Sequence, residues 1–163
     1  MIVLAIDIGL TGAIAAVDSR GTHFVVDLPI EEIPKAGNRM IKRRVSAIGL
    51  RDVLRTLVPP GEVALALIED VHAGMGPGVA ARSSLDMNRG RIEAVLELQR
   101  LDVRAIQPSA WKRFYGLTGK EKSDNLGTAR TLFPMAMHML KRMKDHNRAD
   151  ALLMAHYGQK VLA

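Results

Sequence analysis

Residues 2–18 read IVLAIDIGLTGAIAAVD, and the division of that stretch decides the fold. Residues 2–8 form a short, almost wholly apolar run rich in β-branched side chains, the signature of a central strand covered on both faces. LTG supplies a turn, AIAAVD a second strand, SRG another turn and THFVVDLP a third strand. Three short strands joined by tight turns predict an antiparallel meander. Asp7 emerges where the first strand ends, with Gly9 and Gly12 behind it.

Beyond the meander, KAGNRMIKRRVSAIG leads into a helix through Leu50, Val53, Leu54 and Leu57, stopped by Pro59 and Pro60. VALALIED is a fourth strand, closing on Glu69 and Asp70, and HAGMGPG a flexible loop. A long helix is expected over about residues 83–101; its length makes it the candidate dimer contact. A fifth strand follows around VRAIQ, then a short helix opened by Pro108, a basic loop LTGKEKSD, a helix ending at LFP and a final helix. The order β-β-β-α-β-α-β-α-α predicts an α/β chain with a five-stranded mixed sheet flanked by helices. With no internal repeat or linker, residues 1–163 are expected to form one domain.

Lys and Arg outnumber Asp and Glu by 23 to 17, a net charge of +6 that favours a polyanionic partner. The sequence contains no cysteine, which excludes disulfides and thiolate metal sites. The opening MIVLAIDIGL has neither a basic lead nor a cleavage site, and no apolar run approaches a membrane span. A soluble cytoplasmic protein, with no membrane partner, is the default expectation.

Three acids stand out. Asp7 and Glu69 each end an apolar strand, and burying a carboxylate there without a partner is costly. Asp70 points to the opposite face and is expected to be solvated. Asp150 lies in KDHNRADALLMAHYG, where His146, Asn147, Leu153, Met154 and Tyr157 share its helical face. A helix-terminal acid is often only a dipole partner, and Asp145 fits an N-cap. If the last helix lies across the two strands, however, Asp7, Glu69 and Asp150 converge. Carboxylates so gathered repel unless a hard divalent cation neutralises them, and oxygen ligands without thiolates suit Mg²⁺ or Mn²⁺. Two such ions beside a basic surface are what phosphodiester hydrolysis requires.

The basic residues cluster. Residues 35–55 hold seven (Lys35, Arg39, Lys42, Arg43, Arg44, Arg51, Arg55) against one acid, Asp52. With no acid nearby to pair them, phosphate contact is the better reading. Lys112, Arg113, Lys120 and Lys122 gather around Trp111, Phe114 and Tyr115, and Lys141, Arg142, Lys144 and Arg148 read as a solvated face.

The ordered set AIDIGLTGA, LIEDV and RADALLMA resembles the RuvC-type Holliday junction resolvases of the RNase H-like superfamily, over nearly the whole chain. KRR, PSAWK and KDHNRADALLMAHYG resemble the chloroplast branch, although the lack of a transit peptide suggests a bacterial or phage member. The resemblance implies a homodimer that cuts opposed strands of a four-way DNA junction with Mg²⁺, leaving 5′-phosphate ends. It assigns Asp7, Glu69 and Asp150 as metal-binding acids. The family's further acid or histidine, three residues before the last Asp, falls on Asn147 here. His146, four residues before and on the same helical face, is taken as the fourth catalytic and metal-binding residue, with Asn147 and Asp145 left as alternatives. Lys112 and Lys122 resemble basic residues beside the scissile phosphate. Lys42, Arg43, Arg44, Arg82, Asn88, Arg89 and Lys120 complete the expected DNA contacts. The family's aromatic junction wedge has no counterpart in residues 72–90.

Rival readings exist. DIGLTG also resembles the phosphate loop of actin-like and sugar-kinase ATPases, which need a second lobe to close over nucleotide. A less selective RNase H-like nuclease and a non-catalytic junction binder are the others; intact acids at all three positions argue against the last.

Overall fold

The computed structural model describes residues 1–33, 42–70 and 78–163, with only the backbone of Lys42. The meander forms as expected: β1 (Ile2–Asp7), β2 (Ala13–Asp18) and β3 (His23–Asp27) are antiparallel neighbours. A two-stranded ribbon follows, β4 (Ile30–Ile33) against β5 (Lys42–Val45). Then come α1 (Ala47–Leu57), β6 (Ala64–Glu69), α2 (Val79–Leu98), β7 (Asp102–Ile106), α3 (Pro108–Phe114), α4 (Lys122–Leu132) and α5 (His146–Val161). Two 3-10 turns, Pro134–Met139 and Met143–Asp145, separate α4 from α5. The main sheet has the order β3-β2-β1-β6-β7, with β6 parallel to β1 and β7 parallel to β6. It is the expected mixed five-stranded sheet.

Both faces of that sheet are covered, which explains the unbroken apolar runs. Val3, Ala5, Leu65 and Leu67 face a core completed by Leu126, Leu152 and Met154 from α4 and α5. Leu4, Ile6, Ala66 and Ile68 face the other core, with Leu50 and Leu54 of α1 and Ile92 and Leu96 of α2. Side chains alternate along a strand, so Asp7 and Glu69 share the α5 side while Asp70 takes the α2 side. At Gly158 of α5 an added Cβ would collide with the Leu67 side chain and crowd Val3. That glycine lets α5 lie close against the sheet.

Two boundaries differ from expectation. The ribbon was not foreseen: IEEI has two acids where a strand pattern wants apolar residues, and its partner is the basic KRRV. The register supplies the reason, setting Glu31 opposite Arg44 and Glu32 opposite Arg43. Opposite charges across a ladder stabilise a pair that has little apolar content. Helix α2 also starts earlier than expected, so Arg82 lies on it. The residues of HAGMGPG before Gly78, and Lys35 and Arg39, lie outside the described residues. Among the described residues no helix is long and apolar enough to cross a membrane.

Candidate active site

Strand register brings the acids together. Ile6 pairs with Ile68, so Asp7 and Glu69 follow at the same end of two adjacent parallel strands in the middle of the sheet. Beyond Asp7 the chain turns at Gly9, whose φ of 140° suits glycine. At Gly12 an added Cβ would strike the Asp7 carbonyl oxygen, so only glycine lets the backbone double back behind the acid. Helix α5 crosses the same face and presents Asp150.

The electrostatics of the three carboxylates are those of neighbours. Burial raises Asp7 well above the usual carboxylate range, repulsion from Glu69 and Asp150 adds to it, and Lys122 and Lys112 oppose it. Burial also raises Glu69, against the Trp111 hydrogen bond, with Asp150 adding repulsion and Lys112 opposing it. Asp150 is raised by burial and held down by the Asn125 hydrogen bond and by Lys112, His146 and Lys122. Two neutral donors grip the acids: Trp111 Nε1 donates to Glu69 Oε1 at 3.1 Å, and Asn125 Nδ2 to Asp150 Oδ1 at 2.8 Å. Among the described residues no group of three acids or histidines stands close enough to hold one ion. The acids face a common space without closing into a ligand cage.

Neither Trp111 nor Asn125 was expected at the site. Trp111 read as part of an aromatic, basic surface, yet it is fully buried and Lys112 Nζ lies 5.4 Å from its ring centroid. Asn125 gave no signal beyond its place after the basic loop.

His146, the expected fourth member of the site, lies close enough to Asp150 for its charge to help hold that carboxyl down. It is the first residue of α5, and its ring also meets α4 and the preceding turn. Nε2 lies 3.1 Å from Lys122 Nζ, and Nδ1 lies 3.1 Å from the Met143 carbonyl oxygen. Both nitrogens are engaged, which fits an Nδ1–H tautomer accepting from the lysine. Asn147 is committed too: its Nδ2 donates to the Thr11 carbonyl and Oγ1, tying α5 to the turn behind Asp7. Asp145 sits at the α5 N-cap position but does not cap it. It is 3% exposed and closes the 3-10 turn, accepting from Arg142 N at 2.8 Å and pairing with Arg142 Nη2 at 2.7 Å.

The expected DNA contacts divide sharply. Arg43, Arg82, Lys120 and Lys122 are exposed, and Lys112 is partly buried beside the acids. Asn88 is not available to DNA: it is 1% exposed, and its Oδ1 accepts from Val45 N at 2.8 Å. Arg89 is ion-paired with Asp70 at 3.0 Å and Glu93 at 2.9 Å, and Gln107 also donates to Asp70. Asp70 is therefore a structural partner on the α2 side, not the solvated acid expected. Arg44 also has an acid after all, Glu31, which accepts Arg91 as well. In the supposed solvated face, Arg148 pairs with Asp27 and donates to the Met139 carbonyl.

The structure of Thermus thermophilus RuvC superposes with a TM-score of 0.58, covering 98% of this chain and 96% of that one at 14% identity. The fold is that of RuvC. A second structure, T. thermophilus RuvC in complex with Holliday junction substrate, superposes with a TM-score of 0.55, covering 98% of this chain and 95% of that one at 11% identity. The RuvC fold thus accounts for the whole sheet and the placement of α5 across it. In sequence, the chain is 35% identical over 156 aligned residues to the chloroplastic Holliday junction resolvase MOC1 of Chlamydomonas reinhardtii. That alignment covers 86% of this chain but only 18% of the curated relative's length. No family model matches the chain.

Proposed function

We propose that the chain is a structure-selective endonuclease that cuts opposed strands of four-way DNA junctions, leaving 5′-phosphate and 3′-hydroxyl ends. The observation that carries this reading is the gathering of Asp7, Glu69 and Asp150 on one face, with Lys112 and Lys122 beside them. An all-oxygen donor set under mutual repulsion fits a hard divalent cation. Asp7, Glu69 and Asp150 would hold Mg²⁺, or Mn²⁺ in its place, two ions per site as the resemblance implies. Ions held there would supply activation of a water and stabilisation of the departing oxygen. Lys112 and Lys122 would bind and orient the scissile phosphate, while exposed Arg43, Arg82 and Lys120 hold backbone phosphates farther out. A homodimer would set two such sites on opposed strands. The junction-bound RuvC of the same fold and the resolvase relative support this substrate over plain duplex.

His146, beside Asp150 and Lys122, would complete the site as its fourth metal-binding and proton-handling residue. His146→Ala is expected to slow cleavage by about 10²-fold with little change in junction affinity. A wild-type single-turnover rate would assign the ring a structural role only. The reaction is tested by its products: nicks made with Mg²⁺ should be sealed by a DNA ligase, and EDTA should stop their formation. Cutting that persists in EDTA, or ends that ligase cannot seal, contradicts the reading.

A further inference from the structure

Asn125 is one of the few buried polar side chains among the described residues, 4% exposed on α4, which packs against α5. One end of its amide is used: Nδ2 donates to Asp150 Oδ1 at 2.8 Å. The other end, Oδ1, is buried and has no hydrogen-bond partner among the described residues. An unmade buried acceptor is costly, and an apolar residue would avoid that cost, as Leu126 and Ala129 do on the same helix. Turning the amide over offers no relief, because Oδ1 would then face a carboxylate oxygen and the donated bond would be lost. The orientation is therefore fixed by Asp150, and the free acceptor belongs to the amide that holds that acid.

We propose that Asn125 is a positioning residue of the cation site: its Nδ2 fixes the Asp150 carboxylate while its Oδ1 supplies an extra oxygen acceptor to the polar surroundings of a divalent cation. The inference rests on the reading of Asp7, Glu69 and Asp150 given above, and it adds a neutral member contributed by a different helix. Groups that hold a ligating carboxylate commonly change metal affinity by about 10–100-fold when removed. A residue that only fills space would not.

The test is Mn²⁺ affinity without DNA, read from the free-ion electron spin resonance signal, alongside the metal-free melting temperature. Asn125→Leu, similar in size and apolar, is expected to weaken Mn²⁺ binding by about 10–100-fold while the metal-free protein melts no lower than wild type. Asn125→Asp restores acceptor oxygens beside Asp150. It loses the Nδ2 donor that fixes Asp150, so Mn²⁺ affinity should stay below wild type, while the added repulsion lowers the metal-free melting temperature. If the leucine variant does not fold, Asn125→Ala is read in the same titration with the same expected loss. Wild-type Mn²⁺ affinity in the leucine or alanine variant overturns the proposal, provided Asp150→Asn binds weakly. If wild type itself binds no Mn²⁺, or Asp150→Asn binds as tightly, the cation site and this inference fall together.

Discussion

Asp7→Asn is expected to abolish Mg²⁺-dependent junction cleavage while junction binding survives, and Glu69→Gln and Asp150→Asn are expected to do the same. The loss should exceed the about 10–100-fold typical of residues that only support a ligand. Binding persists because the substitutions leave Lys112, Lys122 and the exposed basic residues in place. The same variants should make the metal-free protein more stable at neutral pH. The folded protein holds these carboxyls above their ordinary range, so their contribution favours folding at low pH and is lost as pH rises and they ionise. Asparagine or glutamine removes that buried repulsion, and each 1 kcal/mol relieved raises Tm by about 2–4 °C. A variant that still cuts is not missing a catalytic group. One that loses both cutting and melting temperature points to structural damage instead.

Trp111→Ala should be the most destabilising single change near the site. The indole is fully buried in the core beneath α5, and truncating such a side chain costs about 3–5 kcal/mol through lost burial and the cavity left behind. Trp111→Phe separates packing from chemistry, because it keeps an aromatic ring but removes the Nε1–H that Glu69 accepts. That variant should stay folded and cut about 10–100-fold more slowly, with unchanged junction affinity. A phenylalanine variant cutting at the wild-type rate would reduce Trp111 to a packing residue.

The sheet and the three acids were legible because one local rule governs both. A strand covered on two faces must be apolar until it ends, so Asp7 and Glu69 are conspicuous as the first charges after such runs. Asp150 followed from helical periodicity. What escaped depends on partners distant in the chain. The β4–β5 ribbon is held by cross-strand charges, so each half alone reads as polar loop. Asn88 looked like a surface polar residue on a long helix, yet it binds the end of β5. The grip of Trp111 on Glu69 and of Asn125 on Asp150 spans 42 and 25 residues of sequence. Periodicity put His146 on the Asp150 face, where its charge reaches Asp150, but its contacts with Lys122 and the preceding 3-10 turn depend on α5 starting at that residue.

Competing substrates in one tube test the central claim most directly: a four-way junction, a duplex of the same sequence and an RNA–DNA hybrid, each differently labelled, with and without Mg²⁺. The account predicts paired, symmetric nicks in the junction alone, and only with Mg²⁺. Preferential cutting of the hybrid, equal cutting of the duplex, or cutting without a divalent cation would contradict it.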